Sequence, residues 1–259
     1  MKILMLGDVT SPAAARHLAG VLPSARRRLG ADVVTVNAEN AGFIIGPPPE
    51  LAELLLRSGA DVLTGGNHTL QNYAMLAAID NMPAALRPAN YPQATPGRGA
   101  YIHTAACGAR VLVISLLGRN QIEPPLASPF ETADAVLRAH RGRYDVAIVD
   151  FHAEATGEKL ALGYHLAGRV SVVAGTHTHV PTADLRLLGG GTGYVSDLGM
   201  CGPRDSVIGM DPEEIVERYR TAINHKLHPA EGDFEGNGVL FTVNEISGRC
   251  EHMERVTIE

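Results

Sequence analysis

The sequence predicts an α/β fold on a largely parallel sheet that turns mixed toward its end, and three observations carry this. Short runs of Val, Ile and Leu recur without strict alternation, as strands buried on both faces do. Segments with helix caps lie between them. The resulting order, strand then helix repeatedly, is the signature of parallel sheets.

The first apolar run covers residues 2–6 and ends in Gly7-Asp8. Ser11-Pro12 then offers an N-cap and a proline at the first helical position, ahead of AAARHLAGVL. The basic cluster Arg26-Arg27-Arg28 sits late in that helix, where positive charge suits the C-terminus. A second run, 32–36, ends in Asn37-Ala38-Glu39-Asn40, and Pro49-Glu50 opens a helix closed by Gly59. A third run, 61–63, leads into Gly65-Gly66-Asn67-His68 and a helix over 70–79. The stretch 88–99 reads as a long loop inserted near the active edge. Residues 101–103 and 110–114 flank Gly108 as a hairpin, within a fourth run over 110–117. A helix is expected over 134–140. The fifth run, 145–149, ends in Asp150-Phe151-His152, and the sixth, 170–174, ends in Gly175-Thr176-His177-Thr178-His179. Gly189-Gly190-Gly191 lacks the Lys-Ser/Thr of a phosphate loop and reads as a hairpin tip. Asp211-Pro212-Glu213-Glu214 is a helix start with an acidic cap. Residues 238–243 and 255–258, separated by Ser247-Gly248, form an antiparallel hairpin. The expectation is a mixed sheet, or two packed sheets with helices outside.

Composition narrows the function. The 259 residues are 45% hydrophobic and 19% charged, enough for one large core, and a single domain over 1–259 is expected. A formal net charge of -6 excludes broad capture of nucleic-acid backbone. Three scattered cysteines suggest neither disulfides nor a zinc knuckle, and fit a reducing compartment. The apolar run ILML is too short for a signal-peptide core, and no stretch is long enough to span a membrane. A soluble cytoplasmic protein is expected.

The chemistry is in where the polar residues fall. Asp8, Glu39, Asn40, Asn67, His68, His152, His177 and His179 all follow predicted strands. In a parallel sheet those ends share one edge, the edge at which α/β proteins bind ligands. Carboxylates can bridge cations, and imidazoles and amide oxygens complete their shells, so the set reads as a metal site. Each motif alone has a structural explanation; their joint occurrence at the strand ends points to metal chemistry.

These residues resemble the calcineurin-like metallophosphoesterase superfamily: an aspartate after the first strand, a bridging acid after the second, Gly66-Asn67-His68, a lone His152, and Gly175-Thr176-His177-Thr178-His179. Two departures stand out. The usual D-x-H is Asp8-Val9-Thr10, and the bridging acid is Glu39 followed by Asn40, which takes the place of the missing histidine. With Phe151-His152-Ala153-Glu154 and Asp197-Leu198-Gly199-Met200, this combination resembles the bacterial YmdB-like branch over nearly the whole chain. The resemblance implies a four-layer αββα sandwich of two mixed sheets. It also implies two divalent or mixed-valence metal ions, iron or manganese, and phosphodiesterase activity on small phosphodiesters such as 2′,3′-cyclic nucleotides.

It further implies that Glu39 bridges the metals, with Asp8, Asn40 and His179 on one and Asn67, His152 and His177 on the other. A hydroxide held between the metals would be the nucleophile, and His68 would assist the leaving group. Glu154 is a candidate to orient a histidine, and Asp197 and Asn90 are candidates to line the pocket. Competing readings keep the site and change its use: a phosphomonoesterase or protein phosphatase, a regulatory nucleotide-sensing module, or, more distantly, an amidohydrolase. A homo-oligomer is compatible with the sequence.

Overall fold

A computed structural model describes all residues, 1–259. It contains two six-stranded mixed sheets with helices on their outer faces. The first sheet holds β1 (Lys2–Val9), β2 (Val33–Asn37), β3 (Val62–Thr64), β10 (Met200–Pro203), β11 (Phe234–Val243) and β12 (Cys250–Ile258), in the order β12-β11-β10-β1-β2-β3. The second holds β4 (Ala100–Thr104), β5 (Arg110–Leu117), β6 (Val146–His152), β7 (Val172–Thr176), β8 (Arg186–Leu188) and β9 (Thr192–Val195), in the order β4-β5-β6-β7-β9-β8. β10, β1, β2 and β3 run parallel, as do β5, β6, β7 and β9; the remaining pairings are antiparallel.

Alternation along the strands sorts the apolar residues into three cores. Leu4 and Leu6 of β1 face outward onto α1 (Pro12–Leu29) and α2 (Pro49–Arg57), together with Leu18, Leu22 and Leu55. Ile3 and Met5, their neighbours in sequence, face the second sheet. There they join Val33, Val62, Val111, Val113, Val146, Ile148, Val172 and Ala174. Leu112, Ile114, Ala147 and Val149 face the other way, onto α4 (Pro129–Ala139) and α5 (Thr156–Leu166). Side chains two apart share a face, so a strand buried on both sides feeds two cores and reads as an unbroken apolar run. This is the four-layer αββα sandwich.

The layer between the sheets changes character along the strands. Continuing the same alternation toward the C-terminal ends brings Asn37 and Thr64 from the first sheet against Ser115, Asp150, His152 and Thr176 from the second. Asp8 would by strict alternation face outward with Leu4 and Leu6. A register shift between Leu6 and Asp8 turns it to the inner face instead, the re-aiming that a bulge performs. Gly7 sits at that shift because a Cβ there would lie 1.8 Å from the Gly199 carbonyl oxygen.

Several helices follow their predicted caps. Ser11 Oγ accepts from Ala14 N at α1, and Asp211 accepts from Glu213 and Glu214 at α6 (Pro212–Thr221). The 134–140 helix begins earlier than expected, at Pro129, capped by Ser128. The helix expected over 70–79 is shortened to α3 (Tyr73–Ala78), because Asn72 caps it. α5 has no counterpart in the sequence reading. Its inward face sets Lys159 and Gly163 beside Leu162 and Leu166, which interrupts the apolar stripe, with Gly163 against the Tyr194 ring. β8, β9 and β10 were also unforeseen; they are three or four residues long, and Gly193 interrupts β9 and Gly202-Pro203 ends β10. Gly189-Gly190-Gly191 does form the turn joining β8 to β9.

Candidate metal centre

The predicted residues meet at the C-terminal seam between the sheets. The first sheet and its loops contribute Asp8, Glu39, Asn40, Asn67 and His68, and the second contributes His152, His177 and His179. Carboxylate and ring-nitrogen atoms of Asp8, Glu39 and His152 all lie within 4.8 Å of one another, and all three residues are buried. His152 Nε2 is 3.0 Å from Asn67 Oδ1 and 3.1 Å from His177 Nδ1. Glu39, Asn40, His68, Glu154, His177 and His179 line one open cleft of about 290 Å³.

Hydrogen bonds fix which ring nitrogens are free. His179 Nδ1 lies 2.9 Å from the Ile208 carbonyl, which can only accept, so Nδ1 carries the proton and Nε2 keeps its lone pair. His177 Nε2 lies 3.0 Å from Glu154 Oε2, a contact between ring and carboxylate, and its Nδ1 lies 3.1 Å from His152 Nε2. His152 is held from behind. Thr176 Oγ1 donates to Asp150 Oδ1 (2.7 Å) and accepts from Asn37 Nδ2 (3.2 Å), so at 3.0 Å it also accepts from His152 Nδ1. The His152 Nε2 lone pair therefore faces the Asn67 amide oxygen at 3.0 Å, with His177 Nδ1 at 3.1 Å beside them. Two acceptors this close repel unless a cation sits between them. Ligand atoms at about 2.1 Å from one ion, at right angles, are about 3 Å apart.

Two further observations fit a cation. Asp8 Oδ1 is a buried polar side-chain atom with no hydrogen-bond partner, a costly arrangement for an acceptor. Its other oxygen accepts from His177 N at 3.1 Å. The ionisable groups are also pushed toward neutrality. Burial, aided by Asp197 and Glu39, holds Asp8 well above the usual carboxylate range. Burial pushes Glu39 up to about 7 against the opposing pull of His68. It pushes His177 down to about 4 and lowers His152 and His179. Acids that hold protons and histidines that refuse them mark a site whose charge is to be balanced by something bound.

Local structure explains the positions. Gly66 lets the Asn67 loop approach His152, since a Cβ there would lie 2.4 Å from the ring. Glu39 is anchored at both ends: its N–H donates to Asn37 Oδ1 (3.0 Å), and its Oε2 accepts from His68 N (2.9 Å). His177 and His179 have φ of 100° and 66°, so the segment turns rather than staying extended and the two rings diverge. Asn40 Oδ1 accepts from Ile44 N at 2.7 Å.

Two expected pocket residues lie elsewhere. Asp197 is buried and paired with Lys159 Nζ at 2.8 Å, and it accepts from Thr178 N and Oγ1. It thus supports the histidine turn from below. Asn90 is bound to the Leu117 main chain and the Ala127 carbonyl. Conversely, Asp150, Thr176 and Asn37 carry the support of His152 and were not singled out. Asp150, pushed up to about 6 by burial, also accepts from Asn37 and Thr64. A charged residue inside the buried strand VAIVDFH was the available signal, because such a group needs partners.

The sequence profile of the YmdB-like protein family matches residues 4–256. The chain is 39% identical over 258 residues to the 2′,3′-cyclic-nucleotide 2′-phosphodiesterase of Bacillus subtilis (strain 168), covering 100% of this chain and 97% of that one. Among solved structures, a hypothetical protein from Thermus thermophilus matches with a TM-score of 0.90 and 34% identity, over 99% of this chain and 98% of that one. A novel phosphatase from Mycoplasma pneumoniae matches with a TM-score of 0.91 and 32% identity, over 100% of this chain and 93% of that one. With nearly every residue matched and the strand-end residues converging as described, this chain belongs to the YmdB-like protein family.

Proposed function

We propose that the protein is a dinuclear-metal phosphodiesterase of the calcineurin-like superfamily that hydrolyses small phosphodiesters, 2′,3′-cyclic nucleotides above all. The observation that carries this is the set of acceptors at the seam: the orphaned Asp8 Oδ1, and the His152 Nε2 lone pair 3.0 Å from Asn67 Oδ1. The activity of the Bacillus relative directs the choice of substrate.

Asp8, Asn40 and His179 would hold one ion, Asn67, His152 and His177 the other, with Glu39 between them. Imidazole, carboxylate and amide donors suit iron or manganese. Bound cations of this kind polarise phosphoryl oxygens and lower the pKa of water. The chain's own residues do the rest. Thr176 fixes the His152 tautomer, and Glu154 pairs with the His177 ring. His68 lines the cleft beside Glu39, its main chain tied to that carboxylate and its Nδ1 3.0 Å from Gln71 Oε1. From there its ring delivers a proton to the departing ribose oxygen as the cyclic ester opens.

Turnover of 2′,3′-cyclic AMP by protein reconstituted with manganese or iron tests the reading. Wild type is expected to hydrolyse it, and chelation to abolish this. Glu39→Gln, folded normally, should lose at least about 100-fold, more than a mere supporting residue would cost. Two bound metals without turnover would sink the assignment.

A further inference from the structure

Seven non-glycine residues have positive φ, and two are β-branched, for which this conformation is an outlier. These are Ile44 (φ 61°) and Ile208 (φ 52°). Both line the cleft of the metal centre, and both are exposed there, at 38% and 46%. Each is tied by its main chain to a candidate ligand. Ile44 N–H donates to Asn40 Oδ1 at 2.7 Å, and the Ile208 carbonyl accepts from His179 Nδ1 at 2.9 Å.

The backbone does not explain the isoleucines. Val207 and Met210 exchange both main-chain hydrogen bonds at 3.0 Å across Ile208-Gly209, and both central residues have positive φ. Turns of that pattern favour Asn-Gly, so isoleucine occupies a position that asparagine fills with less strain. Ile44 follows Phe43, also at positive φ (63°), in a turn that Asn40 closes through its carbonyl as well as its side chain. Strained residues persist where the surroundings enforce them, and they concentrate at ligand sites. Here strain is accepted twice, and each time an aliphatic side chain lines the cleft beside a ligand.

We propose that Ile44 and Ile208 are specificity-determining residues, forming two apolar walls of a subsite that takes the flat face of a nucleobase while the phosphoester meets the metal centre. The inference rests on the phosphodiesterase reading. Aliphatic walls contact the ring face and read none of its edge groups, so the subsite favours nucleotides over baseless esters and discriminates little between bases.

The test is the ratio of kcat/KM for 2′,3′-cyclic AMP to that for 1-O-methylribose 2,3-cyclic phosphate, the same ester without a base. The ratio is independent of how much of each preparation is active. Ile208→Asn and Ile44→Gly remove the walls with residues that accept positive φ, so thermal unfolding should not move to lower temperature. Each variant is expected to lower the ratio about 10-fold, the scale of lost apolar contacts in a specificity pocket. Ratios within twofold of wild type in both variants would overturn the subsite while leaving the hydrolase standing. A wild type that cleaves neither compound would overturn the phosphodiesterase reading and the subsite with it.

Discussion

His152 and His179 are both proposed ligands, and they are held in opposite ways. His152 is the last residue of a regular strand, wholly buried, with its ring fixed through Thr176 by Asp150 and Asn37 from the two sheets. His179 lies in a turn at φ 66°, its ring fixed by one carbonyl of a loop residue that is itself at positive φ. The inner half of the centre is thus part of the sandwich's own interior, where the apolar inter-sheet layer has become polar. The outer half hangs on strained loops that also wall the cleft. The inner half gives precise placement, and the outer half couples ligand position to whatever occupies the cleft.

The largest effect is expected from breaking the inner support. Thr176→Val keeps the shape and removes the hydroxyl on which Asp150, Asn37 and His152 converge. Leaving buried groups unpaired should cost roughly 1–3 kcal/mol in thermal or denaturant unfolding. Losing the hold on His152 should weaken metal affinity by about 10- to 100-fold, measured by titration of chelated protein. Thr176→Ser, which retains the hydroxyl, should restore affinity. Wild-type affinity in the valine variant would mean that His152 needs no support and that the two halves are alike.

This contrast also separates what was legible in the sequence from what was not. Strands buried on both faces appear as apolar runs, so β1, β2, β3, β5, β6 and β7 were readable, and with them the positions of Asp8, Glu39, Asn67, His152 and His177. Periodicity reports nothing about loop conformation, so the sequence placed His179 without its Ile208 contact and Asn40 without its bond to Ile44. Nor does it show a bulge: Asp8 faces the site only because the register shifts after Leu6. α5 was hidden because its inward Lys159 serves Asp197, a polar contact that erases the amphipathic pattern.

A second effect concerns which groups set the pH dependence of metal uptake. Burial pushes Glu39 up to about 7 and Asp8 upward too, while His177 is pushed down to about 4. At pH 6 the metal-free protein then holds protons on most Glu39 carboxyls and almost none on His177. Binding must displace those protons, so affinity should rise from pH 6 to 8 as proton release falls. The sign for stability follows. A raised carboxylate pKa favours the folded state at low pH, and that contribution is lost as pH rises from the ordinary value of 4.5 through 7. The metal-free protein should therefore lose stability over this interval, and bound metal should remove the loss. Calorimetry in buffers of different ionisation enthalpy measures the protons released. At pH 6, Glu39→Gln should release about one fewer. An undiminished release would assign the protons to groups other than Glu39.

The smallest effect should come from the ring partner that solvent reaches. Glu154 is the carboxylate partner of the His177 ring as Thr176 is the hydroxyl partner of His152, its Oε2 3.0 Å from Nε2. But Glu154 is 44% exposed at its side chain, whereas Thr176 is fully buried. Water can take the place of an exposed acceptor, and exposed ion pairs contribute little. Glu154→Gln leaves an amide oxygen able to make the same contact, so kcat/KM should fall no more than about 3-fold. Metal content should be unchanged. A loss as large as that of Thr176→Val would show that the carboxylate charge, rather than the polar contact it makes, is what His177 requires, and would place Glu154 among the groups that balance the bound cations.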